Sequence, residues 1–142
     1  MVNLLGGINS TSSALKAERV RMDVVAQNIA NAHVTRGPDG KPYQRQQVVF
    51  ESFMRGAEGG SLGAASQGGP VAKIERDQTP PKSVFMPSHQ DADSSGNVQL
   101  PDINIANEMS DLILSSRSFE ANLAVVKTAK SMAQQTLGIG KR

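Results

Sequence analysis

The sequence predicts a mainly α chain, with long N- and C-terminal helices paired as a coiled-coil-like hairpin and a small irregular, short-strand middle segment. Three observations carry this expectation. Thirteen Gly and seven Pro fall almost wholly between Gly37 and Pro101, leaving only Gly6, Gly7, Gly138 and Gly140 outside. Ile8, Leu15, Met22 and Ile29 recur every seven residues in a stretch that has no Pro or Gly between Ile8 and Ala32. Positions 105, 109, 112, 116, 119, 123, 126, 130, 133 and 137 alternate by four and three without a slip, and eight of those ten are apolar. That spacing describes a narrow heptad seam and not the broader stripe of a helix lying on a globular core.

These patterns divide the 142 residues into an N-terminal helical segment over 1–36, a middle over 37–102 and a C-terminal helical segment over 103–142. In the first segment Val25 and Ala26 widen the apolar stripe, Lys16, Glu18, Arg19, Arg21 and Asp23 supply a wet face, and Ser10, Thr11 and Ser12 are candidate N-caps. His33 to Gly40 ends the helix with turn chemistry. In the middle, Tyr43–Phe53 contains the β-favouring Val48-Val49-Phe50, and Val71–Ile74, Val84–Met86 and Val98–Leu100 are further short strands of a small sheet or hairpin. Residues 56–70 are Gly, Ala and Ser with few anchoring side chains, the composition of a flexible loop. In the last segment Asn104 suits the N-cap, Glu108 and Asp111 the positive end of the helix, Lys127 and Lys130 the negative end, and Gly138 the stop.

Length turns the C-terminal seam into an expectation about assembly. About 34 helical residues span roughly 50 Å, whereas a compact domain of this size has a diameter of roughly 37 Å. A shorter first helix covers only part of such a seam, so the remainder meets solvent or another chain, and another chain is the better account. The packing residues expected are Ile8, Leu15, Met22, Val25 and Ile29 in the first helix. In the second they are Ile105, Met109, Leu112, Phe119, Leu123, Val126, Ala133 and Leu137.

Composition closes off other classes. The net charge of +2 divides into +1 over 1–35, −1 over 36–102 and +2 over 103–142, so there is no basic patch for a nucleic acid, and aromatics do not interleave with the basic residues. The absence of Cys removes disulfides, thiolate metal sites and thiol nucleophiles. His33 and His89 have no ligand at metal-binding spacing, and no nucleotide or hydrolase motif is present. No cofactor is expected. Asp91 to Asp102 places oxygen donors at positions 1, 3, 5 and 12 of a calcium-like loop, with Gly96 at position 6. Pro87 upstream, Pro101 at the exit and the short Asp102 at position 12 favour a Ser/Asp/Gly turn leading into Val98–Leu100 instead. A cell-wall hydrolase needs a carboxylate pair that the spacing of Glu51, Glu58, Glu75 and Asp77 does not supply. The start of the chain has neither a basic cluster nor an apolar run of signal-peptide length, and nothing approaches a membrane span. The remaining alternative to an assembly subunit is a helical adaptor that holds a single partner helix in a groove.

Ser13-Ala14-Leu15, Arg21-Met22-Asp23-Val24 and Ala26-Gln27-Asn28-Ile29-Ala30-Asn31-Ala32, followed by Thr35 and Pro42-Tyr43-Gln44-Arg45-Gln46, form one set of motifs. Downstream come Val84 to Asp93, then Gly96, Val98 and Pro101, then Glu108-Met109, Ser116 to Asn122 and Thr128 to Ala133. In this order they resemble the axial proteins of the bacterial flagellum, the basal-body rod protein family, and among them a proximal rod member. The resemblance runs nearly end to end. Departures at Gln90, Asn97 and Asp102-Ile103-Asn104 leave the helical seams untouched. The resemblance implies a structural rod subunit, exported by the flagellar type III apparatus without a cleaved signal and polymerising in the periplasm. It further implies partners among other rod proteins, proximal and distal, the rod-base adapter at the export gate, and further copies of itself.

Overall fold

The computed structural model describes residues 4–52 and 70–139. Among the described residues, two helices bracket four short strands: α1 (Leu4–Ala30), β1 (Gln46–Ser52), β2 (Pro70–Arg76), β3 (Lys82–Phe85), β4 (Asn97–Leu100) and α2 (Ile105–Ile139). The chain is therefore mainly helical around a small strand-containing middle.

Helix α1 begins earlier than the candidate caps allow. Ser10, Thr11 and Ser12 lie inside it, and the Thr11 and Ser13 hydroxyls donate back to the carbonyls of Gly7 and Asn9 at 2.8 and 3.1 Å. A hydroxyl satisfied one turn back has no need to cap, and Gly6 and Gly7 weaken the helix by only about 1 kcal/mol each without breaking it. The helix closes at Ala30, just before the turn expected from His33 onward, and Val34 N–H bonds to the Asn31 carbonyl at 3.1 Å in the turn that follows. Gly40, at φ 71°, then completes the bend begun at Gly37. At the other end α2 starts as expected: the Asn104 side-chain oxygen accepts from the amides of Ala106 and Asn107 at 3.0 and 3.3 Å, satisfying two donors of the first turn. Gly138 does not stop it, because α2 continues to Ile139; a lone glycine costs a helix stability but breaks no hydrogen bond.

The strands form two separate two-stranded sheets, β1 with β2 and β3 with β4. β3 and β4 run antiparallel with Lys82 opposite Leu100 and Phe85 opposite Asn97. Val98 is buried at the centre of the second sheet. Most of the Gly-rich stretch expected at 56–70 lies outside the described residues, and Pro70 opens β2.

The chain divides into two compact units. One contains, of the described residues, 4–20, 49–52, 70–73 and 114–139; the other is formed by Arg21–Val48 and Ile74–Ile113. Val24, Val25, Ala32 and Val98 form the apolar core of the second unit, joined by Pro101. In the first, only Ala17 and Ser115 are buried among the described side chains.

Candidate assembly interface

Each helix presents one face inward, and on α2 this face differs from the heptad read in the sequence. Ile105, Leu112, Phe119, Val126 and Ala133 are half-buried as one line of it. The other line is Glu108, Ser115, Asn122 and Ala129, each one residue before Met109, Ser116, Leu123 and Lys130. Met109, Leu123 and Leu137 are exposed, the last at 72%. On α1, Val25 is buried, Leu15, Met22 and Ile29 are half-buried, and the side chain of Ile8 lies outside what is described. The twelve expected packing residues whose side chains are described thus separate into a half-buried or buried set and an outward one. Further apolar side chains face outward on α2: Ile113, Leu114, Val125, Met132 and Ile139. An α2 of 35 residues extends about 52 Å, and it carries apolar groups on its exposed side along that length.

A buried polar network lies in the second unit, where α1 and α2 meet the segment between α1 and β1. Asn28 and Glu108 are each 1% exposed. The Asn28 carboxamide donates to the Gln46 carbonyl at 2.7 Å and to Glu108 Oε2 at 3.1 Å. Its oxygen accepts from the Gln46 amide at 3.0 Å and from the Tyr43 hydroxyl at 3.1 Å. Asn28 thereby fills its whole capacity of two donors and two acceptor sites, and stands in for a strand partner at the first residue of β1. Arg45 grips Glu108 Oε1 with two nitrogens, Nε and Nη2, each at 2.7 Å, and reaches Asp77 Oδ2 at 3.5 Å through Nη1. A charge-assisted, two-pronged contact of this kind is among the stronger polar interactions available to a buried carboxylate. Further along the helices, Arg21 on α1 pairs with Asp111 on α2 at 3.7 Å, and the two cross-helix contacts run in opposite chain directions.

The ionisable groups respond accordingly. For Arg45, burial works against the charge, but the hydrogen bond and charge of Glu108, helped by Asp77, outweigh it and hold its pKa above the ordinary value. Burial raises the Tyr43 hydroxyl, the Glu108 charge raises it further, and Arg76 opposes both. Asp77 is lowered, first by hydrogen bonds from the Thr79 hydroxyl and amide at 2.6 and 3.0 Å, then, against a small effect of burial, by Arg45. Sequence reading placed Glu108 at the helix N-terminus for its charge and did not find this hub. The available signal was the heptad recurrence of Glu108, Ser115, Asn122 and Ala129, small or polar residues repeating beside an apolar line.

The calcium-like loop is used differently. Asp91 accepts from the Thr35 hydroxyl at 2.8 Å and faces Arg36 at 3.7 Å, while its amide donates to His89 Nδ1 at 3.1 Å. Asp93 Oδ1 accepts from the amides of Ser95 and Asn97, both at 2.8 Å, closing a turn in which Gly96 has φ 76°. The two carboxylates serve separate partners, and among the described residues no group of three or more potential ligands gathers. His33 is exposed on the turn after α1. No described helix is long and apolar enough to cross a membrane.

Two family descriptions match the chain: "Flagella basal body rod protein" over residues 8–38 and "Flagellar basal body rod FlgEFG protein C-terminal" over residues 94–139. They fall on α1 with its following turn and on β4 with α2, which carry Asn28 and Glu108 of the hub and the outward face, while Tyr43, Arg45 and Asp77 lie between the two matches. The chain is 39% identical to the flagellar basal-body rod protein FlgC of Borreliella burgdorferi over 149 aligned positions, covering 97% of this chain and 98% of that protein. The FlgC of Escherichia coli is 39% identical over 138 positions, with 97% and 98% covered, and that of Bacillus subtilis 39% identical over 145, with 94% and 96% covered. Similarity at that level across nearly the whole of both chains leaves one assignment: the chain belongs to the FlgC family of flagellar basal-body rod proteins.

Proposed function

We propose that the chain is a structural subunit of the flagellar basal-body rod that polymerises through its terminal helices and forms part of the shaft transmitting torque from motor to hook. The carrying observation is the exposed apolar side of α2, where Leu114, Val125, Met132 and Ile139 meet solvent in the isolated chain, together with Leu137 near the helix end, in phase with Phe119 yet exposed. Side chains of this size are worth about 1.5–3 kcal/mol each when fully buried, so a few per contact suffice for a stable assembly. In this reading α1 and α2 pair as a coiled-coil-like hairpin through Leu15, Met22, Val25 and Ile29 on one side and Ile105, Leu112, Phe119, Val126 and Ala133 on the other. Met109, Leu123 and Leu137 are left for neighbouring subunits, and Ile8, one heptad before Leu15, extends the α1 seam. The terminal segments 1–36 and 103–142 are the assembly parts, and 37–102 fixes which neighbours each subunit meets. Those neighbours are other rod proteins, the adapter at the rod base and further copies of the chain. The role is mechanical and has no catalytic step.

The test replaces Leu123 or Leu137 by Asp in a flagellated host lacking the native protein. Swimming is abolished while the variant is still exported, because a carboxylate cannot be desolvated in an apolar contact. Unimpaired swimming with both variants would sink the proposal.

A further inference from the structure

A helix pair built on seven-residue repeats has a built-in ambiguity. Leu15, Met22 and Ile29 on α1 and Ile105, Leu112, Phe119 and Val126 on α2 are all large and apolar, so sliding one helix by seven residues exchanges one such side chain for another. The slide displaces α2 by about 10 Å along its axis, yet the apolar lines discriminate against it only weakly. The geometry points to Asn28 and Glu108, with Arg45, as the residues that specify the register of α2 on α1.

Their contacts exist in one alignment only. With Asn28 opposite Glu108, every hydrogen-bonding site of the carboxamide is filled, and the carboxylate receives Asn28 on one oxygen and two arms of Arg45 on the other. A seven-residue slide that brings Ser115 to Asn28 carries Glu108 past the end of α1 at Ala30 and leaves Arg45 without its carboxylate. The opposite slide sets Asn28 against Pro101, which lies outside α2. Arg45 and Gln46 belong to the segment entering β1, so the hub also ties that strand to the chosen register. Replacing a buried polar group with apolar ones often leaves stability intact, and its best-attested use is to select one alignment among several of similar energy. The inference concerns contacts within the chain and stands whether or not the rod reading holds.

The chain has no cysteine, so introduced pairs can report register without background. In the purified full chain, R21C/D111C reports the native alignment, since Arg21 and Asp111 already meet at 3.7 Å, and R21C/S118C reports the slide by seven. A short thiol-specific cross-linker is expected to join only the first pair in the otherwise native sequence. With Asn28→Leu, Arg45→Met and Glu108→Leu together, helix content by circular dichroism is retained and the 21–118 product rises about tenfold. A folded triple variant that still gives only the 21–111 product would overturn the assignment. Should the triple variant lose its helices, single substitutions at Arg45 decide. Arg45→Glu should raise the 21–118 product, whereas Arg45→Lys, which keeps a cation beside Glu108 and Asp77, should not. If both products instead fall together in Arg45→Glu, the hub is only structural and the assignment fails.

Discussion

The two compact units of this chain solve the same problem in opposite ways. The unit of Arg21–Val48 and Ile74–Ile113 is small but nearly self-satisfied: four apolar side chains are buried, and its buried polar groups, Asn28 and Glu108, are hydrogen-bonded. The unit containing 4–20 and 114–139 buries only Ala17 and Ser115 among its described side chains and leaves Leu114, Val125, Met132, Leu137 and Ile139 exposed. Stability of the first kind resides in specific polar geometry, which is sensitive to single substitutions. The second kind has apolar area held in reserve, and its free energy is released only when something else covers it.

The largest expected effect follows from the first strategy. Glu108→Ala leaves the Arg45 cation and the Asn28 amide without their shared partner, and should destabilise the purified chain by about 3–5 kcal/mol in a urea titration. A loss below about 1 kcal/mol would show that the hub is not what holds that unit. Next, Gly96 combines φ 76° with a position where an added Cβ would sit 2.9 Å from Phe85 Cε2 and 3.3 Å from Pro87 Cβ. Gly96→Ala is expected to cost about 1–3 kcal/mol, visible as a lower Tm. Phe85 is itself 69% exposed, so its ring can move aside, and the backbone conformation sets most of that cost.

Leu137→Asp makes the sharpest contrast between the units. It should change the stability of the isolated chain by no more than about 0.5 kcal/mol, since Leu137 is already in water, while abolishing assembly. Equal damage to both properties would erase the distinction between a finished unit and a waiting one.

The smallest effect is one of pH. Asp77 titrates below its reference value of 3.8 in the folded chain, so its contribution to stability is fully present above the unfolded pKa and is lost as pH falls through the lower folded one. Asp77→Asn should therefore flatten the acid limb of a stability–pH curve below about pH 4 and shift it little near neutrality. Tyr43 works in the opposite sense: its pKa is raised from 10.0, so the stability it gives is complete below that value and fades as the pH rises through the folded one. Tyr43→Phe should remove the decline above about pH 10 at the expense of one hydrogen bond to Asn28.

Particular residues show where sequence reading reached and where it stopped. The Asn104 cap was legible because a cap is local: a side chain two and three residues from the amides it satisfies. Strands at Val48–Phe50, Val71–Ile74 and Val98–Leu100 were legible from β-branched and aromatic residues between turn formers. The start of α1 was misplaced, since Ser10, Thr11 and Ser12 carry cap chemistry and helix-compatible back-bonding equally well, and what precedes them decides between the two. The inward face of α2 was legible to within one residue. A heptad with apolar residues at 105, 112, 119 and 126 can rotate toward 109, 116 and 123 or toward 108, 115 and 122, and the larger side chains on the first alternative drew the reading there.

The sequence by itself determined the two long helices, the short-strand middle and the family, because periodicity, turn residues and motif order are written along the chain. Only the tertiary structure decided that Glu108 turns inward while Met109 turns out. A carboxylate is buried only when partners such as Arg45, 63 positions away, and Asn28, 80 positions away, are brought to it. No local pattern encodes that meeting.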